Sequence, residues 1–403
     1  MLSNSLFASK MRGDVRRAST SHEFTEADRA QVVVRALRRE GRRFVIIART
    51  GTAADVQKRL DAGADPDTEI NLRDGTSPLM VAAEHGRLEI VQLLLNAGAS
   101  VDLQRRDGSN ACLIASEAGH SAVVRALVRA GADLDHTNSD FETALHVAAV
   151  EGHAAVVKEL LSGGASFALE GANGMGALHL AARHGSPGTV QQLLAAGANP
   201  NKCDVKGFTP LIHAAANNEL ECVETLLGSA ANPSLASNKG TTALLIAAQA
   251  GYHAMVEMLL RAGANASPVD RGGFTPLYAA SMGGLDAIVA LLLRAGGSPN
   301  LAASNGMSPL DAAAINDHPK VVRLLTRAGA HSSKTVMARS PSSNVMRTTA
   351  MRNTAVVAQR STTASNNRFS SYGTINNTNS GRRSSNGTAR SGPANSMFPS
   401  LTA

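Results

Sequence analysis

Residues 140–165 read D-F-E-T-A-L-H-V-A-A-V-E-G-H-A-A-V-V-K-E-L-L-S-G-G-A. Leu145 and the pair Ala148 and Ala149 stand three and four residues apart, which puts them on one helical face. The alanines are small enough to let another helix approach closely. Val156, Val157, Leu160 and Leu161 make a second, bulkier apolar face. Gly152 between the two runs predicts a helix break with a left-handed turn. Thr143 is placed to cap the first helix. The stretch therefore reads as helix, tight turn, helix, and a loop that begins at Gly164.

The same spacing fills the chain. The residue at the Thr143 position recurs every 33 residues as Ser77, Asn110, Thr143, Gly176, Thr209, Thr242, Thr275 and Ser308. The closing glycine recurs as Gly98, Gly131, Gly164, Gly197, Gly263, Gly296 and Gly329, with Ala230 in the one gap. Pro78, Pro210, Pro276 and Pro309 follow the cap residue, where a missing N–H does no harm. The paired small residues run from Ala82 and Ala83 to Ala313 and Ala314, with Ser116 and Ser281 as the only replacements for alanine. Pairs such as Asn199-Pro200 and Asn232-Pro233 start an extended turn after the second helix. One unit cannot bury both of its faces, so the eight in-phase copies must stack on one another.

These residues resemble ankyrin repeats. Thr143, Ala144, Leu145 and His146 stand where that family has Thr-Pro-Leu-His, and the 33-residue period is that of the family. The resemblance covers about residues 40–332. It implies an all-α repeat solenoid of helix-turn-helix units joined by hairpin-like loops, binding proteins on its inner helices and loop tips. It also gives His146 and His179 a structural role, bonding within the turn and toward the next repeat. The other copies put Met80, Leu113, Ile212, Leu245, Tyr278 and Asp311 in that slot. No phosphate loop, nucleophile elbow or metal-ligand cluster is visible, and Gly171 to Gly176 reads as a turn rather than a nucleotide loop. The expectation is a non-catalytic protein without cofactor or metal.

Three segments follow. Residues 1–23 read as disordered; Leu6-Phe7-Ala8 is too short for a signal-peptide core, and the scattered arginines only faintly resemble a mitochondrial leader. Residues 24–332 read as the solenoid with an N-terminal cap. Thr25 to Arg39 has a helical pattern, and Phe44 to Gly63 reads as a divergent first unit, with Gly51 and Gly63 spaced like Gly86 and Gly98. The loop from Asp65 to Arg73 carries about two residues more than its counterparts. Residues 333–403 are rich in Ser, Thr, Asn, Gly and Arg, with no helical or strand period, and read as disordered. Arg-Arg-x-Ser patterns make Ser19 and Ser385 candidate phosphorylation sites.

The net charge of +7 is uneven. Residues 333–403 hold nine Lys or Arg and no Asp or Glu, which leaves the rest slightly negative. Such a tail can assist nucleic-acid or membrane contact, though its charges are scattered. Aromatics at 3% and the absence of Trp fit a helix stack rather than one thick core. Cys112, Cys203 and Cys222 form no Cys-x-x-Cys pair, which points to a reducing compartment: the cytoplasm, with the nucleus as the alternative. Cys112 and Cys222 fall at core positions and Cys203 in a loop. No run of eighteen apolar residues crosses a membrane.

By the resemblance, the ends of the first helices line a groove. Its N-terminal part carries Glu84, His85, Glu117 and Glu151, its middle Arg183 and His184, its C-terminal part Met282 and Ile315. The tips add Arg105, Arg106, Asp133, Asp135, Phe167 and Leu169, with Phe167 a candidate aromatic anchor. The favoured function is a monomeric scaffold or adaptor holding a protein partner. The alternative is a nuclear regulatory cofactor whose basic tail assists nucleic-acid or chromatin association. Weak joints are expected between the third and fifth copies, where Pro187, Asn218 and Ala230 depart from the pattern, and at Asp317 in the last.

Overall fold

The computed structural model describes residues 44–67 and 74–333. Residues 44–50 are helical and lead into α1 (Ala53–Asp61). Eight helix pairs follow. Repeats one to four are α2 (Pro78–Glu84) and α3 (Leu88–Asn96), α4 (Ala111–Glu117) and α5 (Ser121–Arg129), α6 (Ala144–Glu151) and α7 (Ala154–Ser162), and α8 (Ala177–Arg183) and α9 (Pro187–Ala195). Repeats five to eight are α10 (Pro210–Ala216) and α11 (Leu220–Gly228), α12 (Ala243–Ala250) and α13 (His253–Arg261), α14 (Pro276–Met282) and α15 (Asp286–Arg294), and α16 (Pro309–Ile315) and α17 (Pro319–Arg327). Even-numbered inner helices pack on one another and on their own odd-numbered outer helices. The helix expected over Thr25 to Arg39, the sites Ser19 and Ser385, and most of the long first loop lie outside the described residues.

The caps form as the sequence predicts. Ser77, Thr143, Thr209, Thr242, Thr275 and Ser308 each accept the N–H three residues on. Asn110 does the same through its amide oxygen, at 3.0 Å from the Leu113 nitrogen, so losing the hydroxyl there costs nothing. Gly176 has no side chain to cap α8; the His179 ring still accepts the Gly176 N–H at 3.2 Å, as the His146 ring accepts that of Thr143.

One continuous core runs through the stack. The small pairs are buried, and the outer helices of repeats one to seven each add three inward residues, such as Val156, Val157 and Leu160, while α17 adds Val321 and Leu325. A fully buried Leu or Val is worth about 1.5–3 kcal/mol, and every repeat supplies several. Ala314 breaks the pattern: it is exposed, while its partner Ala313 is fully buried. Among the described residues no further repeat covers the outer side of α16. At the other end, Gly51 departs from its expected counterparts. It is absent from the positive-φ residues, and Thr52 caps α1 with a capping box through Asp55 instead.

The turn between the two helices of a repeat favours glycine, with Asn218 and Asp317 taking the same left-handed conformation in the fifth and eighth repeats. Gly119 has φ 79°, and a Cβ there would come within 2.7 Å of the His153 ring of the next repeat. Closing positions differ: around Gly131 or Gly263 a Cβ would meet nothing within 4 Å. Ala230 therefore fits its closing position sterically and bears only the cost of φ 62°.

The hairpin-like loops carry tight turns without forming named strands; among the described residues there is one isolated bridge, Ala236 with Thr242. Neighbouring tips are joined through the backbone, for example Ser139 N–H to the Asp107 carbonyl at 2.8 Å and Asn238 N–H to the Lys206 carbonyl at 3.0 Å.

Candidate interaction surface

The inner helices end in a row of solvent-facing residues. Glu84, His85, Glu117, Glu151 and His184 are exposed, and Arg183 is half-buried. The acidic residues do not form one column. Glu84 and Glu117 are one period apart, whereas Glu151 falls one residue later, at the position of His85. The offset is set by the sequence itself; α6 also runs one residue further than α2 or α4, through Glu151, and is closed by Gly152 at φ 76°.

The backbone under this row is pinned by the following repeat. His120 Nε2 lies 3.0 Å from the Glu84 carbonyl, His153 Nε2 is 3.1 Å from that of Glu117, and His318 Nε2 is 3.1 Å from that of Met282. Arg87 does the same at the N-terminal end, donating to the carbonyls of Arg49 at 2.7 Å and Gly51 at 2.6 Å. These side chains satisfy carbonyls left open at helix C-termini. His120 and His153 are thus rivets between repeats rather than plain turn residues. His253 is simply the first residue of α13. The sequence held the signal for this row: Arg87, His120, His153 and His318 are in phase, one residue after the turn position.

His85 is less available than its exposure suggests. Its Nδ1 lies 3.0 Å from the Val81 carbonyl, and its Nε2 accepts from Arg49 at 3.2 Å. Met282 is partly buried with Met307 against Tyr278, Ala303 and Ala312, so it is not a free groove residue. Ile315 is exposed. Phe167 is only partly exposed, with the end of its ring 4.0 Å from the place a Cβ would take on Gly197. Arg105 is tied to Asp107 at 2.8 Å, which leaves Arg106 as the more open of the two tip arginines.

The repeat-four and repeat-five inner helices hold a polar cluster that sequence reasoning missed. His213 faces Asp204 at 3.1 Å, Nε2 to Oδ2. Asp204 is buried and also accepts the N–H groups of Lys206 at 2.9 Å and Phe208 at 2.8 Å. The His179 ring stands edge-on to His213, with centroids 5.8 Å apart. Burial pushes the His213 ring down to about 4, with His179 and Arg183 acting in the same direction and Asp204 opposing. Burial also lowers His179 and His146. Both are neutral at ordinary pH, and His179 carries out the role the family resemblance gave it, with Nε2 2.9 Å from the Lys202 carbonyl. His146 does half of it. Thr143 meets its Nδ1 at 2.9 Å, while the buried Nε2 makes no bond as short as the one His179 makes to Lys202.

Among the described residues no group of three or more His, Cys, Asp or Glu could hold a metal ion. Cys112 and Cys222 are buried, and burial pushes both thiols up to about 12. Cys203 is exposed. Among the described residues no helix is long and apolar enough to cross a membrane.

Comparison with known proteins agrees with this geometry. The family model for ankyrin repeats, three copies long, matches residues 44–138, 79–173, 114–204, 178–270 and 262–336. No curated protein matches. A crystal structure of the ankyrin repeat domain of Bcl-3, described as a unique member of the IkappaB protein family, is similar over 55% of this chain and 99% of its own, at 32% identity and a TM-score of 0.50.

Proposed function

This chain belongs to the ankyrin repeat family, and from that premise we propose that it holds a partner protein along the exposed ends of its inner helices. The fold is a non-catalytic interaction module, a scaffold or adaptor. The observation that carries the groove reading is the riveted row: the backbones of Glu84 and Glu117 are fixed by His120 and His153 while the residues stay exposed. Charges fixed on a rigid frame lose little entropy on binding. A partner with a basic segment fits the N-terminal part, and an apolar residue fits near Ile315.

The test is a comparative pulldown with the full chain and with Glu84→Lys, Glu117→Lys and Glu151→Lys combined. The expected result is a partner held by the wild type and lost from the variant, with equal helicity by circular dichroism. Equal capture by both proteins would remove the acidic row from the binding surface. The nuclear reading rests on the charge of residues 333–403 alone. It expects nucleic-acid binding that weakens with salt and vanishes when the chain ends at Ser333.

A further inference from the structure

We propose that, on the loop-tip side of the surface the family resemblance implies, the tips of repeats three to seven select an acidic protein segment that carries an apolar residue at one end. It rests on the reading of the chain as an interaction module but not on the groove residues.

Phe141 marks one end. Seven other copies place glycine at this tip position: Gly75, Gly108, Gly174, Gly207, Gly240, Gly273 and Gly306. Phe141 adopts the glycine conformation all the same, at φ 61°, which is an outlier for a bulky aromatic residue. Its side chain is 68% exposed, so the core gains nothing from it. A strained backbone that holds an aromatic ring in solvent is the signature of a contact made with something else.

The tips beyond it supply charge. Val205, on the fifth tip, is 67% exposed. Lys206, Lys239 and Arg271 follow on successive tips, all exposed, and none of them is ion-paired among the described residues. The nearby Lys202 differs, being engaged by Glu170 at 2.7 Å. The platform is stiff. Asn238 N–H binds the Lys206 carbonyl at 3.0 Å, its side-chain amide binds the Val205 carbonyl at 3.0 Å, and Arg271 N–H binds the Lys239 carbonyl at 2.9 Å. Three cations on fixed tips complement a run of carboxylates. Asp140 sits beside Phe141, so the segment must be uncharged and apolar at that end. The chain's own C-terminal segment is the wrong occupant, since residues 334–403 contain no Asp or Glu.

The experiment uses the full chain and a fluorescein-labelled peptide that opens Phe-Leu and continues as alternating Glu and Ser, read by anisotropy. Binding is expected, weakening with added salt. Combining Lys206→Glu, Lys239→Glu and Arg271→Glu should weaken it by at least about tenfold. The triple groove variant should bind the peptide as the wild type does, which separates failure here from failure of the groove reading. Phe141→Gly should weaken binding while raising Tm by about 2 °C; a residue with a purely structural role would not give that pair of changes. The proposal is overturned if the peptide does not bind, if the charge reversal leaves affinity unchanged, or if Phe141→Gly does. Preference for a labelled oligothymidylate at the same three cations would overturn it in favour of a phosphate backbone. Self-association abolished by the charge reversal would overturn it in favour of a second copy of the chain.

Discussion

His213 stands where the neighbouring inner helices carry Val147, Leu180 and Ile246. Burial lowers its ring from 6.5 to about 4, against the pull of Asp204. A folded-state value below the unfolded one means the neutral ring stabilises the fold above about pH 6.5. That contribution is lost as the pH falls toward about 4. The urea midpoint should therefore drop between pH 7.5 and pH 5, by the equivalent of about 1–2 kcal/mol. His213→Gln keeps a donor for Asp204 and does not titrate, so its midpoint should fall less; an equal fall would place the sensitivity elsewhere. This position was hard to read in the sequence. A histidine on an apolar face looks like any core substitution until Asp204, nine residues earlier, is seen to fold back onto it.

At the scale of the element, four joints are fastened by one residue at the start of the outer helix, Arg87, His120, His153 or His318, while Ser186, Glu219, Tyr252 and Leu285 fill the position in the other copies. Histidine or arginine in that position donates to the preceding inner helix. Glu219 stands there at the fourth joint, its carboxylate over Gly185. A carboxylate cannot donate to a carbonyl, and burial raises its pKa. A raised value in an acid means the neutral form is the one favoured by the fold, and at neutral pH Glu219 is charged at a cost. Glu219→His should restore the donor and stabilise the protein by about 0.5–1 kcal/mol at pH 7, read as a higher urea midpoint. A lower midpoint would show that the α11 N-terminus needs the negative charge more than the joint needs a donor. The caps, the N1 prolines and the turn glycines were legible in the sequence because each acts within a few residues of itself. The rivets act 36 residues away, from His120 back to Glu84, and only stacking makes them visible.

Across the whole stack, strain is concentrated. Of the five non-glycine residues with positive φ among the described residues, Phe141, Asn173, Asn218 and Ala230 all lie in repeats three to five, and Asp317 is in the last repeat. A solenoid transmits stability only between neighbours, so a strained stretch can open without the rest. Amide exchange followed by mass spectrometry should find α11 opening more readily than α7. Ala230→Gly, which relieves the left-handed alanine, should slow exchange in α11 and add about 0.5–1 kcal/mol after the entropic cost of glycine. Unchanged exchange in the variant would show that Ala230 does not limit opening.

The amino-acid sequence by itself determined the repeat, its period, the capping chemistry and the core positions, because a periodic pattern of apolar residues and helix punctuation is local information repeated eight times. Only the tertiary structure decided which side chains remain available to a partner. It turned Met282 into packing, tied His85 to Arg49, left Ala314 uncovered and set Phe141 in solvent. The reason is physical: exposure and pairing depend on the next repeat, which lies 33 residues away in the chain and in direct contact in space.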